Sequence, residues 1–404
     1  MTVDPIVFVG SYADPANAPA RPAAGIRTYR LDPDSGALSL IDHTTPEMEA
    51  GFLCVSADRR FLYGVDERKN DGRGPIGPPA SAKAFAIAND GRLVFLNSQP
   101  AYGPLPCYIS VDPTGGWVVT ASHGSSEHVE RVIRTEQGFE IEHLYDDSTV
   151  ALYPVDSSGS LDPACDVQVF EGHGADPAIP GEVGADQVGG HPQASPHAHS
   201  AKFDPAGRFI VVCEKGADRI YSYSIDAQER RFREPIVFTT PAGSGPRHPA
   251  FHSTLPLVFI TNEKASTVSS YSYDPEGTLT HIQTTRTTSP EYDGGNAPAE
   301  VKVHPAGRCV FLNNRGEDTV VAFRLDEPTG ELSRAGAFRL ATPIHPSVGA
   351  RSFAFDSTGR FMFVADRPAD AVLTLAVDAD TGQLTLAHTT HVPQPGFVTL
   401  ASLQ

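Results

Sequence analysis

Hydrophobic and polar residues alternate along most of this chain with a period of two, and the pattern itself recurs about every fifty residues. Each unit has a short alternating apolar run, a turn that starts at Asp or His, a continuous apolar run, a polar loop and a second alternating run. The four units most alike are residues 199–226, 247–274, 299–326 and 351–378. Because period-two patterns rich in Val, Ile, Phe, Tyr and Thr are typical of strands, the chain is predicted to be all-β.

The number of units follows from the spacing of the turn residue. That residue is Ser56, Asp112, Asp204, His252, His304 and Asp356 in successive units, at intervals of 56, 92, 48, 52 and 52 residues. No further turn of this kind lies inside the 92-residue interval, so we interpret it as one unit with insertions at 125–147 and 171–196. The chain start supplies one more unit that lacks its first strand, which brings the predicted number to seven.

Four strands per fifty residues match one blade of a β-propeller, in which each small sheet packs against its neighbours. We therefore predict one domain over residues 1–404, a seven-bladed β-propeller of four-stranded antiparallel blades. The C-terminal segment TLASLQ is expected to pair with the first blade and remove its open edge. The alternative is a large β-sandwich or two separate β domains. The second insertion, rich in Gly and Pro, is expected to be a mobile loop.

The charge and cysteine content of the chain limit the binding partners and the compartment that are expected. The chain has 31 Lys and Arg against 49 Asp and Glu, a net charge of −18, which argues against nucleic acid and against anionic membranes. Five cysteines, an odd number, favour a reducing compartment over a disulfide scaffold. The start MTVDPIVFVGSY has neither a basic segment nor a long apolar stretch, so neither an export signal nor a membrane span is predicted. The expected location is the cytoplasm.

Two sets of equivalent positions are expected at one end of the propeller axis. The first set begins the innermost strands: Cys107, His199, Arg247, Ala299 and Arg351, followed by Tyr108, Ser200, His248, Glu300 and Ser352. The second set follows the next strand: Asp66-Glu67, Ser122-His123, Glu214-Lys215, Asn262-Glu263, Asn314-Arg315 and Asp366-Arg367. These positions hold most of the unusual Arg, Glu and His of the repeat, so a polar axial site is predicted.

Each candidate also has a structural explanation. Asp66 and Asp366 could accept backbone N–H groups at turns, and Arg351 and Arg315 could form ion pairs that only join blades. The histidines of Pro196-His197-Ala198-His199 are two residues apart and, with Glu214 and perhaps His191 as further ligands, would suit a transition metal. We favour a site without metal.

The motifs resemble a known family. PHAHS followed by FDPAGRF, then GPRH, the TNE loop, AEVKVHPAGRCVFLNNRGEDT and RSFAFDSTGRFMFVAD are similar to the seven-bladed lactonase family. This family contains the cycloisomerase-type 6-phosphogluconolactonases and the fungal 3-carboxy-cis,cis-muconate lactonising enzymes. The resemblance implies a metal-independent, cofactor-free site on the axis. The positions that match are His197, His199, Glu214, Arg247, Glu263, Glu300 and Arg315.

Lactone opening needs a general base to activate water and positive charge beside the developing oxyanion. The predicted catalytic residues are His199, Arg247, Glu214 and His197. The predicted substrate-binding residues are Arg315, Glu263, Glu300, Arg351 and His123. The expected function is hydrolysis of a sugar-acid lactone, with a small lactone or carboxylate as partner. The alternatives are a muconate-type cycloisomerase and a non-catalytic propeller that binds a protein or sugar on its axis.

Overall fold

The structure, a computed structural model, describes residues 5–12, 24–44, 48–68, 79–125, 128–174, 193–342 and 349–402. The first two blades use β1 (Pro5–Ser11), β2 (Gly25–Leu31), β3 (Leu38–Thr44), β4 (Ala50–Val55), β5 (Phe61–Asp66), β6 (Ser81–Ile87) and β7 (Leu93–Pro100). The third region contains β8 (Pro106–Val111), β9 (Trp117–Ser122), β10 (His128–Thr135), β11 (Gly138–Tyr145), β12 (Thr149–Pro154) and β13 (Asp166–Val169).

The fourth and fifth blades follow. Their strands are β14 (Ala198–Phe203), β15 (Ile210–Glu214), β16 (Arg219–Tyr223), β17 (Ile225–Asp226), β18 (Arg231–Phe232), β19 (Ile236–Thr239), β20 (Pro246–Phe251), β21 (Leu257–Asn262), β22 (Thr267–Tyr273) and β23 (Leu279–Arg286). The remaining strands are β24 (Ala297–Val303), β25 (Cys309–Arg315), β26 (Thr319–Asp326), β27 (Glu331–Arg339), β28 (Phe353–Phe355), β29 (Phe361–Asp366), β30 (Ala371–Val377), β31 (Leu384–His391) and β32 (Pro395–Ser402), with a short 3-10 helix at Arg367–Ala369.

Within the described ranges these strands form seven four-stranded antiparallel sheets, so the predicted number of blades is confirmed. The third unit, which contains the insertions, forms a single blade with the strand order β8-β9-β12-β13. The innermost strands of successive blades contact one another, as β4 does with β8, β8 with β14 and β14 with β20. These strands therefore surround the axis.

The ring closes between the two ends of the chain, as predicted. The C-terminal strand β32 pairs with β1 in the order β3-β2-β1-β32, with Pro5 opposite Ser402 and Ile6 opposite Ala401. The N-terminal segment thus supplies the three outer strands of the first blade, and the C-terminus supplies its innermost strand. This pairing covers an edge that would otherwise be open to another chain.

The continuous apolar runs of the sequence become the second strands of the blades. All residues are buried in the second strands β5, β21 and β29, and in β9 all but the first residue. The outermost strand β31, by contrast, is largely exposed along its length. A second strand has neighbouring blades over both faces, so both sets of alternating side chains are apolar. This explains why the period-two pattern is lost in these runs.

Adjacent blades also meet at the turn before the outermost strand. Gly159 in the third blade has φ +85°, and a Cβ there would lie 2.2 Å from the ring of Phe61 in the second blade. Gly277 in the fifth blade similarly packs on Phe209 of the fourth. A left-handed backbone against a neighbouring aromatic ring excludes a side chain, which is why the repeat carries glycine here.

The two predicted insertions join the ring at the end where the second strands finish. Residues 128–145 of the first insertion form a two-stranded hairpin, β10 with β11, and not a helix. Residues 175–192 of the second insertion lie outside the described residues. Of the helical structure described, none is long and apolar enough to cross a bilayer.

Candidate active site

The innermost strands of six blades carry β-bulges at the same end of the ring, including β32, in which Gly396 is unpaired. In β4, Ala50 pairs with Asp66 and Phe52 with Val65, which leaves Gly51 unpaired. The equivalent irregularities fall at Cys107 in β8, His199 in β14, Arg247-His248 in β20 and Ala299-Glu300 in β24. A bulge releases a residue from the ladder and re-aims its side chain. Cys107, His199, Arg247 and Ala299 of the first predicted set are therefore bulged residues, whereas Arg351 precedes β28 and lies outside any bulge.

The two residues of each pair in the second predicted set have different contacts. The first residue of each pair bonds within its own blade: Asp66 accepts from the backbone N–H of Glu49, and Asn262 donates to Thr267 and Ser269. The second residue, one step further, lies at the channel end of its blade. These residues are Glu67, His123, Lys215, Glu263, Arg315 and Arg367.

A narrow cleft lies where the starts of several innermost strands meet. It is lined by Gly51, Phe52, Cys107, His199, Arg247, His248, Arg351 and Phe397. The Phe52 ring centroid is 4.0 Å from those of Tyr108 and Phe397, and His248 meets Phe52 edge-on at 5.9 Å. Phe52 and Phe397 thus give the cleft an apolar wall beside His199, Arg247 and Arg351.

Glu263 is the centre of a buried ion network that joins three blades. Its carboxylate lies 2.8 Å from Lys215 Nζ, 2.8 Å from Arg315 Nη2 and 2.6 Å from Arg247 Nε, although the Nε–H of Arg247 is not aligned for a hydrogen bond. Burial raises the pKa of Glu263, but the charges of Lys215, Arg315 and Arg247 outweigh it and hold the pKa well below the usual value. Arg247, with 1% of its surface exposed, is fixed by this carboxylate.

A chain of buried groups connects Glu300 to His199 through His248. Glu300 Oε1 is 3.5 Å from His248 Nδ1, and His248 Nε2 is 3.2 Å from His199 Nδ1. Burial and the charge of Arg247 lower the pKa of His199 well below 6.5 and that of His248 to about 4. Burial raises the pKa of Glu300, but Lys302 and His248 lower it to about 2. Glu300 is therefore ionised, and both histidines are neutral, at neutral pH.

The third cluster surrounds Glu67, which the sequence did not indicate as a site residue, and includes Arg351, which was predicted to bind substrate. Both oxygens of Glu67 face the guanidinium of Arg351, and Tyr12 Oη donates to Oε2 at 2.5 Å. The Arg351 guanidinium also lies 4.9 Å above the Tyr12 ring. A Cβ at Gly51 would lie 1.9 Å from Glu67 Oε2, so this glycine makes room for the carboxylate. The signal for Glu67 was its position, equivalent to those of Glu263 and Arg315.

His123 and His197 are next to each other, beside the cleft. Their rings are stacked with centroids 4.4 Å apart, and His123 meets His199 edge-on at 5.4 Å. The backbone carbonyl of His123 lies 3.0 Å from His197 Nδ1. Neither ring is among the residues that line the cleft, so their contact with the site is through His199.

The structure places Glu214 differently from the prediction. Its carboxylate accepts the backbone N–H groups of His197, Gly216 and Ala217 at 2.5, 2.7 and 2.7 Å, and burial raises its pKa. Glu214 is the first member of its pair, so it bonds within the turn, and Lys215 reaches the axis instead. Its oxygens are thus committed to the backbone, and the proposed metal partner His191 lies outside the described residues.

The axial end of the ring is positively charged although the chain is strongly acidic. Three cations surround the single carboxylate of Glu263, which leaves two positive charges unbalanced in that network. Arginine remains charged at all physiological pH values. A buried excess of positive charge attracts an anionic group strongly because little water screens it.

This arrangement defines a seven-bladed propeller with a cationic cleft at one end of its axis. The chain belongs to the family described as "Lactonase, 7-bladed beta-propeller", whose family model matches residues 6–400. It is 27% identical over 393 residues to the 6-phosphogluconolactonase of Bacillus subtilis strain 168, which covers 96% of each chain. It is 25% identical over 386 residues to the 6-phosphogluconolactonase of Formosa agariphila, with 94% of each covered.

A solved structure has the same fold. The periplasmic gluconolactonase PpgL of Pseudomonas aeruginosa superimposes with a TM-score of 0.81 at 24% identity, covering 99% of this chain and 100% of that one. The likeness extends around the whole ring.

Proposed function

We propose that this protein hydrolyses a sugar-acid lactone in the axial cleft. The family supports this reaction class, as do the names of the relatives, which are lactonases. The observation that carries the proposal is that His199, Arg247 and Arg351, from three different blades, line one cleft beside an apolar wall. A base and two cations on one side of a small cleft suit attack of water on a polarised carbonyl.

His199 is the proposed general base. Ionised Glu300 accepts a hydrogen bond from the Nδ1–H of His248, which makes His248 Nε2 an acceptor for the Nδ1–H of His199. In this tautomer His199 Nε2 carries a free lone pair. It takes a proton from water as the water oxygen bonds to the lactone carbonyl carbon. The ring C–O bond then breaks, and the proton passes to the departing alkoxide oxygen. Glu300 and His248 act as positioning residues.

Arg247 is the proposed oxyanion stabiliser. Its guanidinium lines the cleft, and the ion pair with Glu263 fixes its orientation before substrate arrives. A preorganised charge at the position where negative charge develops lowers the barrier more than one that must reorient. Because Arg247 supplies this charge and His199 the base, the mechanism we propose requires no metal ion.

The excess positive charge supports a substrate that is itself anionic. Arg351 lines the cleft with a second guanidinium, which bonds to Glu67 through Nη1 and Nη2 and keeps further N–H groups that can donate to an anionic group. We therefore place a phosphate or carboxylate group of the substrate near Arg351 and the lactone carbonyl near Arg247. The insertion hairpin and residues 171–196 join the ring at this end, and we propose that they modify which lactone enters.

The cytoplasmic location remains a prediction. All five cysteines are described and are free thiols, which agrees with a reducing compartment.

The test is a screen of purified protein against δ- and γ-lactones with and without a phosphate group, following acid release above the spontaneous rate. We expect accelerated hydrolysis that is lost in Arg247→Ala. Turnover of an unsaturated diacid to a lactone would instead identify a cycloisomerase. Failure on every lactone and diacid by a folded protein would contradict the proposal and favour a binding scaffold.

A further inference from the structure

The insertion hairpin presents three metal-binding side chains on one exposed face. Glu130 in β10 lies directly opposite His143 in β11. His128 precedes Glu130 by two residues and so projects from the same face of the strand. The register of the hairpin, and not a chance meeting of distant loops, therefore brings two imidazoles and a carboxylate together.

The three groups are close enough to share one ion. One ligand atom of each of His128, Glu130 and His143 lies within 4.8 Å of the other two, and the two imidazole rings are 4.7 Å apart at 80°. Tetrahedral zinc with bonds of about 2.0–2.1 Å needs ligand atoms about 3.3 Å apart. All three side chains are exposed, so small side-chain rotations bring the ligand atoms to that spacing.

We propose that His128, Glu130 and His143 bind Zn²⁺, with water as the fourth ligand. Two imidazole nitrogens and one carboxylate oxygen form a ligand set typical of Zn²⁺. This site is separate from the axial cleft and independent of the lactone chemistry. It uses residues of the insertion only.

The hairpin is a sheet of only two strands. An isolated two-stranded hairpin is marginally stable in water. Large apolar side chains on the same face remain exposed, with Val132 at 69%, Phe139 at 68% and Ile141 at 59%, so no apolar core of the described ranges covers them. Zinc joins both strands at the end nearest the ring, where His128 pairs with Tyr145. Binding would therefore order the hairpin at its base.

The first experiment is calorimetric titration of ZnCl₂ into full-length protein without an affinity tag. We expect one saturable site per chain. Because loss of an outer-shell partner alone weakens metal binding by about 10–100-fold, loss of the ligand in His143→Ala or Glu130→Gln should weaken it by at least that factor. The matched controls are Glu140→Gln, on the opposite face of the same hairpin, and His391→Ala, an exposed histidine of β31. Both should bind Zn²⁺ as the unmodified protein does.

The second experiment measures order directly. Trypsin can cleave the exposed hairpin after Arg131 and Arg134, and we expect Zn²⁺ to slow both cleavages in the unmodified protein and in Glu140→Gln, but not in His143→Ala. The proposal is overturned if no saturable binding occurs. It is equally overturned if the double variant His128→Ala/His143→Ala binds Zn²⁺ with unchanged affinity. Lactonase activity plays no part in either readout.

Discussion

His248 Nε2 lies 3.2 Å from His199 Nδ1, which joins the fifth blade to the fourth at the edge of the axial cleft. The contact matters because the other nitrogen of His248 faces the ionised Glu300. The carboxylate thus sets the tautomer of both rings in turn and leaves one nitrogen of His199 able to accept a proton. Each of the three groups comes from a bulge in an innermost strand.

Replacement of Arg247 by Ala should lower kcat/KM on a responsive lactone by roughly 10²–10³-fold, the usual effect of losing one oxyanion stabiliser. The control is Arg308→Ala, which removes an exposed arginine paired with Asp380 and should leave kcat/KM unchanged. If Arg247→Ala raises KM and leaves kcat intact, Arg247 binds substrate and does not stabilise the oxyanion.

Replacement of His199 by Ala should lower kcat by roughly 10²–10⁴-fold, as expected for a general base. Because burial and Arg247 lower the pKa of His199, His199 stays neutral well below pH 6.5 in the free protein. The acid limb of the kcat/KM profile should therefore lie below pH 6.5. An acid limb at or above that value in the unmodified protein would contradict the assignment.

Acid should destabilise the fold through His248. Its folded pKa of about 4 lies below the ordinary value of 6.5, so the unfolded chain takes up a proton first as the pH falls. Stability is then present above pH 6.5 and is lost progressively towards pH 4, by about 2 kcal/mol between pH 7 and 5. Urea denaturation at both pH values measures this loss. His248→Gln should show a smaller difference, and an equal difference in both proteins would refute the assignment.

The sequence predicted the ring more completely than the site. Blade number, ring closure and the end of the axis follow from repeat spacing, which depends on local strand and turn chemistry. Glu214 was chosen over Lys215 because a carboxylate is a plausible partner for histidine. Which member of such a pair faces the channel depends on the strand register, and that is a property of the folded blade.

His248 and Glu67 were missed as site residues for a related reason. The repeat pattern assigns His248 and Glu67 to polar positions, but their partners His199 and Arg351 lie on other blades. Their pairing depends on how the closed ring brings the channel ends of different blades together. No pattern within a single blade contains that information.

The pair Glu214 and Lys215 provides a direct test of this distinction. Glu214→Ala leaves three buried backbone N–H groups without an acceptor, and each costs about 1–3 kcal/mol. The free energy of unfolding should fall by roughly 3 kcal/mol or more, while the KM of the folded fraction is unchanged. Lys215→Met should instead raise KM for an anionic lactone more than for a neutral one. A raised KM in Glu214→Ala together with an unchanged KM in Lys215→Met would instead assign substrate binding to Glu214.

Removal of metal ions should distinguish the lactonase mechanism from the zinc site of the hairpin, because only the zinc site depends on a metal. Because His199 and Arg247 are assigned the roles of base and oxyanion stabiliser, lactonase activity should persist in protein dialysed against EDTA. The same dialysis should strip Zn²⁺ from the hairpin and restore rapid tryptic cleavage at Arg131 and Arg134. The variant His143→Ala isolates the two effects, since trypsin should cleave it rapidly with or without EDTA and it should retain full activity.

If EDTA abolishes activity in the unmodified protein and in His143→Ala alike, and Zn²⁺ or Ca²⁺ restores it, a metal other than the hairpin ion activates the water. Arg247 would then be a substrate-binding residue.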